Sequence, residues 1–167
     1  MNGILLAVLN ACLLLFIQLG VSWLMSRAPS QYFNYFQWVF QKWKWEKDGK
    51  IYEHLGIKSW KDKLPDAGGW FKNGRSKKRL RGRSAETLEQ FILETKRGEL
   101  AHWLQILPCL LFFLWNSVLG GWIILIYAFA FNLPFIAVQR YNRMRLSRAL
   151  ERKKNERMEN RVGLHKI

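Results

Sequence analysis

An all-α integral membrane protein with about three transmembrane helices is the fold class that this 167-residue sequence predicts. Three observations carry the prediction. Long apolar runs without charge alternate with strongly basic stretches. All 27 Lys and Arg fall in two blocks, Arg27 to Arg97 and Arg140 to Lys166, although the chain is 50% hydrophobic and carries a net charge of +15. An aromatic-rich segment adjoins the first apolar run. Soluble domains mix charge over their surfaces, whereas membrane proteins segregate it. The whole chain, residues 1–167, therefore reads as one membrane domain.

The first element is Ile4–Leu24, about 20 residues without a charge and so long enough to span a bilayer core. It reads as an anchor or as a signal peptide. A basic n-region is missing and the apolar run exceeds a typical h-region, which favours the anchor. Ser26-Arg27-Ala28 nevertheless offers a cleavage site.

Residues 27–99 form a basic cytoplasmic and interfacial region. Its first part, Ser26 to Trp45, reads SRAPSQYFNYFQWVFQKWKW. Aromatic rings interleaved with Lys42 and Lys44 suit the headgroup level, and the same rings equally suit a packed face over the spans. Glu46 to Gly74 reads as loop, with turn signals at Asp48-Gly49, Leu64-Pro65-Asp66 and Gly68-Gly69. Ser76–Arg83, SKKRLRGR, is a basic cluster. Beside membrane spans it points to lipid headgroups or an anionic substrate, and no nucleic-acid partner is expected. Ser84 is the expected N-cap of a helix whose apolar stripe is Leu88, Phe91 and Ile92.

Residues 100–139 read as a hairpin of two spans, Leu100–Leu119 and Trp122–Val138, turning at Leu119-Gly120-Gly121. Residues 140–167 form a basic tail, helical at first and then fraying. Lys and Arg mark the cytoplasmic side. Three spans with both basic blocks inside give a multi-pass protein of the bacterial cell membrane, N-terminus outside and C-terminus cytoplasmic. Cys12 and Cys109 both sit in apolar spans and read as packing residues.

The chemistry concentrates at the membrane boundary. Thr95, Glu99 and His102 lie at i, i+4, i+7 and share a helix face, with Gln105 three residues on. Glu99 and His102 are too short to snorkel, so they should face protein or a wet cavity. In the next span Asn132 and Gln139 share a face, Pro134 frees a carbonyl near Ala130, and the donor-rich QRYNRMRL follows. A hairpin brings Gln139-Arg140-Tyr141-Asn142-Arg143 to the depth of Thr95 to His102. A carboxylate beside an imidazole makes a general base, and Arg140, Arg143 and Arg145 suit a phosphate, a carboxylate or an oxyanion. Acyl transfer from a thioester to a hydroxyl uses both functions. The plainer alternative is that Glu99 only pairs with a cation and His102 only joins a polar network. Glu-x-x-His occurs in di-iron sites, but a single copy gives no metal site here.

ETKRGELAHW and NLPFIAVQRYNRMRL resemble the glycosyl-4,4'-diaponeurosporenoate acyltransferase family of Gram-positive bacteria, membrane enzymes of staphyloxanthin-type carotenoid biosynthesis. The resemblance extends upstream to Glu46-Lys47, Gly49-Lys50 and Trp60 to Asp66, covering roughly residues 30 to 150. It implies esterification of a fatty acyl group to the glucose C6 hydroxyl of a glycosylated C30 carotenoid acid. Acyl-CoA or acyl-carrier protein would be the donor, with no bound cofactor. The partners implied are the bilayer, the carotenoid glycoside and other carotenoid-pathway enzymes. Met144 departs from the pattern, which has proline there, and the hairpin lacks the charges expected of it. The site expected on this reading has His102 as base and Glu99 orienting it. Lys96, Arg97, Asn132, Gln139, Arg140, Tyr141, Asn142, Arg143 and Arg145 would bind substrate. The rival readings are a reductase-like or methyltransferase-like lipid-modifying enzyme and a non-enzymatic membrane adaptor.

Overall fold

The 25 residues after Asn2 build a single helix, α1 (Gly3–Arg27), apolar over most of its surface. It belongs to a computed structural model that describes residues 2–64 and 84–164. The basic cluster Ser76–Arg83, the turn signals at Pro65-Asp66 and Gly68-Gly69, and His165 lie outside those residues. Asn2 Oδ1 caps the start of α1, accepting from Ile4 N at 3.3 Å, and Pro29 prevents its continuation. Leu5, Val8, Leu15, Phe16, Leu19 and Leu24 are exposed along it, a continuous apolar surface that water would not tolerate.

Residues 30–63 are largely helical, and from Glu46 onward they differ from the expected loop. They form a string of short helical pieces: 3-10 turns at Ser30–Asn34, Lys44–Gly49 and Lys61–Lys63, with α2 (Gln37–Phe40), α3 (Lys50–His54) and α4 (Ile57–Trp60) between them. The glycines explain the difference. Gly49 and Gly56 hold φ of 89° and 67°, and each restarts a helix rather than ending structure. Tyr52 and Ile57 then pack inward with Tyr141 and Met144. The aromatic segment divides by face. Phe33 and Phe40 are buried with Met25, Leu100 and Ala101, while Tyr32, Tyr35, Trp38, Trp43 and Trp45 are exposed.

α5 (Ala85–Ile106) starts where the sequence predicts, with Ser84 Oγ accepting from Thr87 N at 3.2 Å. Its face carrying Leu88, Phe91, Thr95 and Glu99 is buried, and its main partner is α6 (Val118–Leu164). At Pro108 the α-helical ladder gives way to a 3-10 segment, Leu107–Leu114. Seven residues at about 1.5 Å and eight at about 2.0 Å per residue give about 27 Å from Leu100 to Leu114. The expected span Leu100–Leu119 is thus divided between the end of α5 and this 3-10 segment, and among the described residues it is not one of the helices long and apolar enough to cross a membrane.

The hairpin turn is not at Leu119-Gly120-Gly121, as the glycines suggest in the sequence. The chain reverses at Trp115-Asn116-Ser117, and both glycines lie in the first turns of α6. Gly121 serves close approach instead: a Cβ there would sit 2.4 Å from the Phe113 ring. Asn116 closes the turn by donating to Phe112 O at 2.9 Å. α6 continues through Pro134 and through the basic tail as one helix to Leu164. Among the described residues two helices, Gly3–Arg27 and the Val118–Glu159 part of α6, are long and apolar enough to cross a membrane.

Candidate active site

The buried polar residues form two adjoining networks between α5 and α6. The lower one is ionic. Arg140, Glu46 and Glu99 are at most 1% exposed, and Arg143 is 7% exposed. Arg140 Nε and Nη2 grip Glu46 at 2.7 and 2.9 Å, and Nη1 donates to Glu99 Oε1 at 2.6 Å. Its remaining two N–H groups donate to Val39 O at 2.9 Å and Gln41 O at 2.7 Å. A guanidinium has five N–H donors, and all five are used inside the protein. Arg140 therefore has none to offer a substrate here, and the binding role expected of it from sequence gives way to a structural one. Trp43 covers its face at 4.0 Å. Arg143 donates to the second Glu99 oxygen and to Phe40 O. Two carboxylates and two guanidiniums make the set neutral.

Glu46 is the residue that sequence reading missed. Its carboxylate also accepts from Tyr52 Oη at 2.5 Å and from Trp43 N at 2.6 Å. The chain delivers it by leaving the helical region at once: Lys47, Asp48 and Gly49 all have positive φ. The only signal was its place within the upstream part of the family resemblance. Burial pushes the Glu46 carboxyl up, but hydrogen bonds from Arg140, Tyr52 and Trp43 outweigh it and hold the group below the ordinary carboxylate range. A depressed folded pKa gives stability that is full above the unfolded value and lost as pH falls through the folded one. Acidification from about pH 7 to about pH 3 therefore weakens the fold through this carboxylate. Glu46→Gln lowers stability at neutral pH and flattens that acid dependence. Unfolding midpoints in detergent across the pH series check this, and an equally steep acid loss in the variant would contradict it.

The upper network surrounds His102. Its Nδ1 lies 2.9 Å from Asn132 Oδ1 and 3.0 Å from Gln105 Oε1. The amide orientations are fixed independently. Asn132 Nδ2 donates to Ala128 O at 2.9 Å, and Gln105 Nε2 donates to Gln18 O at 3.1 Å and Ser22 Oγ at 2.9 Å. Two carbonyl oxygens thus face Nδ1, so Nδ1 carries a proton. The Phe135 ring stacks on the imidazole at 4.7 Å. Amides take the orienting part that spacing had suggested for Glu99, whose two oxygens are held by Arg140 and Arg143.

The remaining expected residues separate into two groups. Arg97 Nη1 donates to Met25 O at 2.5 Å and Ala28 O at 2.7 Å, fastening the end of α1 to α5. Tyr141 is buried and donates to Glu53 at 3.0 Å. Gln139 lies against Gly98, where a Cβ would meet it at 2.9 Å, so this glycine lets α5 and α6 approach closely. These residues hold helices together. Lys96, Asn142 and Arg145 keep part of their surface in solvent. Burial, and then the neighbouring Arg143 charge, lower the Lys96 pKa. Among the described residues no ion pair joins Lys96 to a carboxylate, and no group of His, Cys, Asp and Glu could hold a metal ion.

The family model described as glycosyl-4,4'-diaponeurosporenoate acyltransferase matches residues 36–152, a stretch that contains Glu46, Glu99, His102, Asn132, Arg140 and Arg143. The chain belongs to this family. Among the similar proteins are the glycosyl-4,4'-diaponeurosporenoate acyltransferases of two Staphylococcus aureus strains. That of strain N315 is 36% identical over 137 residues, which is 81% of this chain and 82% of the relative. That of strain Newman is 36% identical over 146 residues, or 86% and 88%. No solved structure matches the chain. The protein is an acyltransferase, and the adaptor, reductase-like and methyltransferase-like readings fall away. Within this acyltransferase the matched region includes Glu46 and omits the whole of α1, although α1 supplies two of the acceptors that hold Gln105.

Proposed function

We propose that this acyltransferase esterifies a fatty acyl group onto the glucose C6 hydroxyl of a glycosylated C30 carotenoid acid. The family relation over most of the chain supports that acceptor. The donor is acyl-CoA or acyl-carrier protein, reaching the site from the cytoplasm. The protein is multi-pass in the cell membrane, with its N-terminus outside and both basic blocks inside. A C30 polyene stays in the hydrocarbon and its sugar sits at the headgroups, beside the polar boundary of α5 and α6.

The observation that carries the reading is the His102 geometry. With Nδ1–H held by two amide oxygens, Nε2 removes the proton from the sugar hydroxyl as its oxygen attacks the thioester carbonyl. The tetrahedral intermediate collapses, the C–S bond breaks, and the imidazolium returns the proton to the departing thiolate. Lys96, with Arg145 and Asn142, meets the anionic part of the donor. The exposed rings of Tyr32, Tyr35, Trp38, Trp43 and Trp45, with Lys42 and Lys44, seat the protein at the headgroup level.

Mass spectrometry of carotenoids tests this, in a host that accumulates the glycosylated C30 acid, with and without the protein. The expected product is heavier by one fatty acyl residue. Absence of that product, with the protein in the membrane and donors present, would send the search to another acceptor.

A further inference from the structure

We infer that α1 is a retained part of the acyltransferase domain and that it positions the catalytic imidazole through Gln105. The inference rests on His102 acting as base, and it adds the element that sets the imidazole's proton.

Three polar attachments along α1 carry the argument. Near its start, Asn10 Nδ2 donates to Asn116 Oδ1 at 2.8 Å, and Trp115 Nε1 donates to Asn10 Oδ1 at 2.9 Å. In its middle, Gln18 O and Ser22 Oγ accept from Gln105 Nε2. At its end, Arg97 holds the carbonyls of Met25 and Ala28. Between these points Leu13, Leu14 and Ile17 pack on the Cys109, Phe112, Ile124 and Ala128 cluster. A removable leader has no reason to be joined to the mature chain at its start, middle and end. Loss of α1 by cleavage near Ser26-Arg27-Ala28 would leave Gln105, only 2% exposed, without its two acceptors. It would also strip Arg97 of Met25 O.

The middle attachment reaches the chemistry. A glutamine amide can turn over and present either end. The two acceptors on α1 require the NH2 end of Gln105 to face α1. Its oxygen then faces His102 Nδ1 at 3.0 Å. Without them the amide is free to flip and present NH2 to Nδ1, which favours the tautomer with the proton on Nε2 and the wrong nitrogen basic. Asn132 Oδ1 is the second hold on Nδ1, so Gln105 shares the task. Gln105 and Ser22 are accordingly positioning residues. The charged groups one helical turn away are Glu99 of α5 with Arg140 and Arg143 of α6, and α1 contributes no charge at this level: its one charged residue is Arg27.

Two measurements test the inference. Intact mass spectrometry of the full chain, carrying a C-terminal tag and purified from membranes of a secretion-competent Gram-positive host, should give the mass of the uncut 19.9 kDa chain plus tag. A species lacking the first 24 to 28 residues would overturn it. This measurement needs no activity, so it stands whether or not a carotenoid glycoside is the acceptor. The second uses Gln105→Leu and Ser22→Ala with 15N-labelled histidine, the His102 signal being assigned by its loss in His102→Gln. Wild type should show the proton on Nδ1 of His102. Gln105→Leu should move part of the population to Nε2–H and lower kcat about tenfold with KM within twofold. Ser22→Ala should change both in the same direction by less. Unaltered tautomer and kcat in a folded Gln105→Leu protein would overturn the positioning role. If Gln105→Leu does not fold, Ser22→Ala decides, and no shift in its His102 signal counts against the role.

Discussion

Arg140→Met lowers stability by about 3–5 kcal/mol, the cost of removing one partner from a buried ion pair. The penalty comes from what stays behind. Glu46 and Glu99 remain wholly buried, and the carbonyls of Val39 and Gln41 lose their donor. Arg140→Lys recovers only part of the loss. A single ammonium is a point donor, and it cannot reach two carboxylates and two carbonyls from one position. SDS-driven unfolding of purified protein in mixed micelles measures both variants. Lys154→Ala is the control, since its pair with Glu89 is exposed and worth little. An Arg140→Met protein as stable as this control would mean that the ion network does not hold the fold.

His102→Ala reduces the rate of ester formation by about 10²- to 10⁴-fold, the usual contribution of a positioned general base. The substitution removes the imidazole and leaves Asn132 and Gln105 anchored through their own donors to Ala128, Gln18 and Ser22. The protein should therefore fold, and the loss should appear in kcat. Product formed per unit of folded protein, at saturating donor, is the measurement. Activity within threefold of wild type would remove His102 from the chemistry.

Much of the site's placement was legible because it is local or periodic. Seven-residue spacing put Asn132 and Gln139 on one face, and a hairpin then brought that face to Glu99 and His102. The Ser84 cap and the Leu88 and Phe91 stripe follow from the same reading. What escaped has no period. Glu46 meets Arg140 across 94 positions, from a run of Glu, Lys, Asp and Gly that composition assigns to the surface. Arg97 read as a substrate-binding cation, because nothing local reveals that its partners are the carbonyls ending α1. Gly120-Gly121 read as a turn because glycine supplies flexibility and close approach alike, and only the Phe113 ring tells which is in use.

The neutral quartet also imposes an order on assembly. Synthesis delivers Glu46 first, Glu99 later, and Arg140 and Arg143 only after both apolar arms of the hairpin have left the ribosome. Until then neither acid has its guanidinium, and the place of both is at the aqueous surface. The Trp43-to-Gly49 turn therefore cannot seat itself during early synthesis. It closes last, as α6 brings its arginines into place, and a nascent chain cut before residue 140 should leave this region open to proteases.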